Sequence, residues 1–135
     1  MPQLILAGNF KGTDLQYIIM EKLGYNLKQL LRKNTKHKFT LKTVVQIGIQ
    51  LIQNLQKLHE KGYLHSDLKP ENILIGSNDL SSPASSIVYL VDFGISQRYL
   101  NTHGKHLEKA NVPFRGNLLF ASPFALIPIC KLFQF

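Results

Sequence analysis

Cysteine is almost missing from this chain: its 135 residues hold one, Cys130. No intrachain disulfide can form, and a zinc site built on several thiolates is excluded. Acids are scarce too, with 8 Asp and Glu against 16 Lys and Arg, leaving a formal charge of +8. That balance suits anionic partners (nucleotide, nucleic acid, acidic peptide, membrane surface) without choosing among them. No two glycines stand as Gly-x-Gly, so the glycine-rich phosphate loop Gly-x-Gly-x-x-Gly does not occur. There is no Asn-x-Ser/Thr acceptor. A basic leader followed by an apolar run is not found at the start, which argues against a signal peptide. The longest greasy stretch, LLFASPFALIPIC at 118–130, is too short and too broken by proline to span a bilayer. The expected setting is intracellular and reducing, cytoplasmic or nuclear, with no membrane partner.

What is present suffices for a core. Hydrophobic residues make up 44%, and the length suits one domain or part of a larger one. LILAGNF (4–10) and LQYIIM (15–20) read as strands around the turn KGTD. YNLKQLLRKN (25–34) reads as a short helix. The clearest element follows: Leu41, Val44, Val45, Gly48, Leu51, Ile52, Leu55 and Leu58 recur at three- and four-residue spacing. Thr40 stands at the N-cap position and Gly62 at the stop, which predicts one amphipathic helix over 41–61. GYLHSDLKPENILIG is next. Pro70 lacks a backbone donor and biases Lys69 away from helix, so this is a loop, with ILI a short strand after it. SNDLSSPASS (77–86) is a polar connection. IVYLVDFG reads as a continuous apolar strand ending at Asp92 and Gly94. Residues 95–122 show no strong periodicity, and loops of that length inside a domain are usually functional or disordered. PFALIPICKLFQF changes character again, and no internal repeat is found.

Two features carry chemistry: His65-x-Asp67-x-Lys69-Pro70-x-Asn72, and the strand exit Asp92-Phe93-Gly94. A hairpin-like return through 77–86 would bring them together, converging two carboxylates, a carboxamide and an ammonium. Asp and Asn oxygens suit magnesium, which takes few protein ligands and completes its shell with phosphate and water. A free carboxylate beside it can orient a hydroxyl, and a lysine can neutralise charge on a transferring phosphoryl group. Either motif alone is commonly an ordinary turn. The pair in this order, with Lys-Pro-x-Asn between and a long helix before, is a specific signal.

Here the chain resembles a eukaryotic protein kinase, in the middle of the catalytic domain. YLHSDLKPENILI resembles the catalytic loop, YLVDFGIS the metal-binding strand exit, and YIIMEKLGYNLKQLL the hinge with the helix after it. EKLGYNLKQLL, KFTLKTVVQIGIQLI and FRGNLLFAS are most similar to the casein kinase 1 group. The resemblance covers roughly residues 4–122. It implies an α+β kinase-like fold, partial, with the hinge and the first part of a mainly helical lower lobe over 1–122 and a divergent apolar tail over 123–135. It implies that Asp67 orients a substrate Ser/Thr hydroxyl, Lys69 stabilises the transferred phosphoryl group, and Asn72 and Asp92 hold magnesium. It places Met20 as gatekeeper, the backbone of Glu21 and Leu23 on the adenine edge, and Leu74 and Val91 as floor and back of the nucleotide pocket. Phe93 and Gly94 then open the activation segment. ATP and Mg2+ are the implied cofactors and a protein bearing Ser or Thr the implied substrate. A nucleic-acid partner ranks last, resting on charge alone.

The chain also departs from that family. Ser66 replaces the arginine that usually meets a phosphate on the activation segment, so switching by loop phosphorylation is not expected. Leu118 and Leu119 stand where the casein kinase 1 group commonly has an arginine, and Asn117 replaces a usual threonine. The glycine loop and the upper-lobe lysine and glutamate have no counterpart within these residues. The competing reading is therefore a catalytically silent, truncated kinase-like chain that acts, if at all, as a binding module.

Overall fold

The computed structural model describes residues 1–107 and 114–123. The expected apolar tail, beyond Pro123, lies outside the described residues. Strand β1 (Leu4–Asn9) pairs antiparallel with β2 (Gln16–Met20), with Ala7 opposite Ile18. Gly12 takes φ +78 in the connecting turn, and Phe10 meets Tyr17 edge-on at 5.1 Å. The hairpin buries little: Leu4, Ile5, Leu6, Ile18 and Ile19 are all exposed.

Helix α1 (Leu27–Lys33) starts at a capping box, where Asn26 accepts from the Gln29 backbone and the Gln29 side chain accepts from the Asn26 amide. Arg32 and Lys33 lie in its last turn, where cations complement the helix dipole. Helix α2 (Leu41–Glu60) begins under the Thr40 hydroxyl and ends where Gly62 takes φ +79, as the sequence predicts. Its faces differ sharply. Ile47, Leu51 and Leu55 pack inward, while Leu41, Val44, Val45, Ile49 and Ile52 face solvent.

The core lies between the two helices and a small sheet. Strands β4 (Ile73–Ile75) and β5 (Val88–Leu90) pair antiparallel, Ile73 opposite Leu90 and Ile75 opposite Val88. Leu27, Ile73, Val88 and Leu90 form its centre, with Leu30, Phe39, Leu68 and Phe93 around them. Helix α2 fastens β5 by side chain to backbone. The Asn54 amide donates to the Val88 carbonyl, and the Gln50 amide both donates to Ser86 and accepts from Val88 N–H, each at 2.9 Å. A strand edge that would otherwise carry unpaired groups is satisfied in this way. The hairpin-like return through 77–86 is observed, with a 3₁₀ turn at Pro83–Ser86 inside it.

Two expectations need correction. The strand over 87–94 stops at Leu90; Val91 N–H still bonds the Asn72 carbonyl at 3.0 Å, but Asp92 turns out at φ +64. Two-residue strands β3 (Tyr63–Leu64) and β6 (Gln97–Arg98) pair where only loop was expected, because two residues carry no readable period. The described residues hold two α-helices and six short strands in three two-stranded sheets, and both helices lie after the β1–β2 hairpin. Helical periodicity is confined to 27–60, and Pro and Gly interrupt the rest. No helix of the described residues is long and apolar enough to cross a membrane.

Candidate functional site

The site grows from the end of α2. After Gly62 the chain runs through β3 into His65, which is 2% exposed. Its Nε2 lies 2.9 Å from the Val91 carbonyl, and the Asp67 amide donates to its Nδ1 at 3.3 Å. A carbonyl only accepts and an amide only donates, so in this pairing Nε2 donates and Nδ1 accepts. One imidazole thus ties the catalytic-loop candidate to the end of β5. Its ring meets Phe93 edge-on at 5.1 Å. Ser66 takes φ +68, a left-handed conformation uncommon outside glycine. Against its carbonyl lies Gly116, where a Cβ would come within 2.3 Å of the Ser66 oxygen. Only glycine permits that approach, and it brings the segment after residue 113 beside the loop.

Asp67 is 8% exposed. Its two oxygens are used differently. Oδ2 accepts from Lys69 Nζ at 2.5 Å and from Asn72 Nδ2 at 3.0 Å, while Oδ1 makes no hydrogen bond among the described residues. Asn72 Nδ2 also donates to the Asp67 carbonyl at 2.9 Å, and Asn72 Oδ1 has no hydrogen bond among the described residues. The Lys69 hydrogen bond holds the Asp67 carboxyl below its ordinary pKa, and the same bond holds the Lys69 ammonium above its own. The pair therefore stays ionised at neutral pH. Pro70–Asn72 form a 3₁₀ turn, and Glu71 in it is ion-paired to Lys28 of α1, which lowers the Glu71 pKa.

Asp92 follows β5 by two residues. Its Oδ1 accepts from Gly94 N–H at 3.4 Å, and its charge helps keep the Lys69 ammonium protonated. The left-handed backbone at this exit belongs to Asp92, not to Gly94, which has no positive φ. An open carboxamide oxygen and an exposed carboxylate fit a magnesium ion, which prefers hard oxygens and keeps water and phosphate in its remaining positions. No cluster of three or more His, Cys, Asp or Glu that would suit a metal occurs among the described residues.

The nucleotide side is built differently. Segment 24–26 lies along β4 through an isolated bridge: Gly24 N–H bonds the Ile75 carbonyl at 2.8 Å, Ile75 N–H bonds the Tyr25 carbonyl at 3.1 Å, and Asn26 bridges to Leu74. Just before it, the Glu21 carbonyl and the Leu23 N–H make no hydrogen bond among the described residues, whereas the Glu21 N–H is spent on Gln3. A free acceptor and a free donor two residues apart match the donor and acceptor on an adenine edge. Leu74, which bridges to Asn26, and Val91 are half-buried, and Met20 ends β2 at 45% exposure. The structure thus joins Asp67, Lys69 and Asn72 by direct bonds and ties Asp92 to them through the Val91–Asn72 pairing. Met20 comes near only through the chain. Asn117 caps the 3₁₀ turn Leu118–Phe120 by accepting from Leu119 N–H, and makes no bond to Asp67. Sequence reasoning missed His65 as the tie and Lys28 as partner of Glu71. His65 stood in the motif, but its burial is a property of the packed chain.

The family model described as "protein kinase domain" matches residues 4–124. A probable serine/threonine-protein kinase of Dictyostelium discoideum is 41% identical over 113 residues, covering 83% of this chain and 22% of that protein. A probable casein kinase I homolog of Encephalitozoon cuniculi is 36% identical over 107 residues, 79% of this chain and 30% of the relative. The human serine/threonine-protein kinase VRK2 is 34% identical over 108 residues, 80% and 20% respectively. The chain therefore spans between a fifth and a third of the length of the curated relatives it matches.

Proposed function

The chain belongs to the protein kinase family, and from that premise we propose that it carries a MgATP-dependent centre for phosphoryl transfer to protein Ser/Thr hydroxyls, of the casein kinase 1 type. The observation that carries this reading is the divided carboxylate of Asp67. Oδ2 is fixed by Lys69 and Asn72, and Oδ1 is left open to accept a hydrogen bond from a substrate hydroxyl. The hydroxyl oxygen would attack the γ-phosphorus, the bond to the bridging oxygen would break toward ADP, and the proton would pass to Oδ1. Lys69 lies 2.5 Å from that carboxylate and carries the charge that meets the transferring group. Asn72 Oδ1 and Asp92 would hold magnesium, which when bound supplies charge neutralisation on the phosphates. Glu21 and Leu23 would read the adenine edge over Leu74 and Val91. The casein kinase 1 type rests on the quoted motifs and on the Encephalitozoon relative.

A radiolabelled ATP assay on casein tests the reading, comparing the chain with Asp67→Asn. Loss of a positioned base costs about a hundredfold or more, so transfer by the variant should fall to background. Transfer that survives in Asp67→Asn would refute the assignment. The second reading, a silent kinase-like chain that binds a partner, is favoured by the open faces of the β1–β2 hairpin. It predicts no transfer by wild type or variant.

A further inference from the structure

The strand-like segment 24–26 needs something to hold it at the right height over Leu74. Two bonds to Ile75 fix its middle, and they use only its backbone. Beyond β4 the chain turns back, and this turn supplies a third. Asn78 Oδ1 accepts from the Tyr25 amide at 2.7 Å, across 53 residues of sequence. The turn is itself braced, since Ser77 Oγ accepts from the Asp79 amide and Asp79 Oδ1 accepts from both the amide and the hydroxyl of Ser81. The same turn presses on Gly24. A Cβ at Gly24 would lie 2.8 Å from Asn78 Oδ1, 2.8 Å from the Ser77 carbonyl carbon and 2.9 Å from Ile75 Cγ1. One of those is backbone and cannot rotate away, so any side chain there lifts the segment off the turn.

We propose that Asn78 and Gly24 form a clamp that sets the height of the adenine-reading backbone, making both positioning residues for nucleotide binding. The free Leu23 N–H and Glu21 carbonyl lie one and three residues before Gly24. Their place relative to the floor residue Leu74 follows from how closely Gly24 and Tyr25 seat on β4 and the 77–78 turn. Neither Gly24 nor Asn78 is among the residues assigned to the adenine edge or its floor. The bond is specific for an acceptor: an amide N–H of Tyr25 needs an oxygen, and Asp at 78 keeps one while Ala does not. This inference rests on the nucleotide role given to residues 21–23.

The test compares wild type, Asn78→Ala, Asn78→Asp and Gly24→Ala as full chains. Affinity for a fluorescent MgADP analogue is measured beside the melting temperature and amide exchange at Gly24 and Tyr25. Asn78→Ala should weaken binding about fivefold, the worth of one net hydrogen bond, with exchange at Tyr25 accelerated and melting nearly unchanged. Asn78→Asp should restore both, and Gly24→Ala should weaken binding at least as much as Asn78→Ala. Equal affinity in Asn78→Ala and wild type overturns the clamp, as does Asn78→Asp behaving like Ala. If wild type binds no nucleotide, the reading of residues 21–23 fails separately. Exchange then decides: faster exchange at Tyr25 in Asn78→Ala, rescued by Asp, upholds the clamp, and unchanged exchange overturns it.

Discussion

Asp67 is held anionic by a neighbour that is itself held cationic, and this has a signed consequence for pH. A carboxyl whose pKa is lowered on folding contributes stability that is present above its unfolded value, near 3.9, and is lost as pH falls through the lower folded value. The Lys69 shift works at the other end. Its raised pKa contributes stability that is full below the unfolded value near 10.4 and fades as pH climbs through the folded one. Between these limits the pair is constant. Melting temperatures of wild type and Asp67→Asn, taken from pH 5 to 9, should differ by a fixed amount, and the gap should narrow only outside that range, in stronger acid or stronger base. A gap that varies between pH 6 and 8 would mean that another titrating group governs the loop. The identity of these residues was legible in HSDLKPEN, because the spacing of acid, lysine, proline and asparagine is itself the signal. Which oxygen of Asp67 stays open was not legible. It depends on the rotamer that Asn72 takes once its amide bonds the Asp67 carbonyl.

At the scale of elements, the chain divides by how much each sheet buries. Isolated two-stranded hairpins are marginal in water unless a helix or further strand covers them. β4 and β5 have that cover in α1 and α2, and Ile73 and Leu90 are buried. The β1–β2 hairpin lacks it among the described residues, for its large apolar residues from Leu4 to Met20 are exposed. Hydrogen exchange should report this order. Amides paired between β1 and β2 should exchange on a fast, local-opening timescale, while those between Ile73 and Leu90 should exchange only through global opening. Equal protection in both sheets would contradict it. The long helix was legible to within a residue, since eight apolar positions repeat through it and Thr40 and Gly62 bracket it. The exit of β5 was not. Val91 reads as strand from its side chain, yet Asp92 takes a left-handed turn there, which Asp tolerates better than most residues. β3 and β6 were invisible for another reason: their pairing partner lies more than 30 residues away, and a two-residue ladder leaves no local pattern.

At the scale of the whole molecule, the +8 charge and the exposed apolar surface pull in opposite directions. Leu41 is 79% exposed and Ile52 67%, and Val44, Val45 and Ile49 lie with them on the outer side of α2. Gly48 sits in the middle of that stripe with nothing within 4 Å of its Cβ position, so another surface can approach the helix closely. Contiguous apolar patches of this kind drive association unless something covers them. Like charges resist association at long range, but salt screens them within about 8 Å at physiological ionic strength. The apolar term is therefore expected to win, and the isolated 135-residue chain should self-associate at micromolar concentration, more so as sulfate is added. Replacing Val45 and Ile49 together by lysine removes two apolar groups from the stripe. Lysine is a good helix former, so α2 should persist in the double variant. Light scattering with circular dichroism separates the possibilities. A smaller, more monomeric species with unchanged helix content would place the association on α2. Unchanged association with unchanged helix content would exonerate that face and move the cause to the β1–β2 hairpin, whose Ile5 and Ile18 are comparably open.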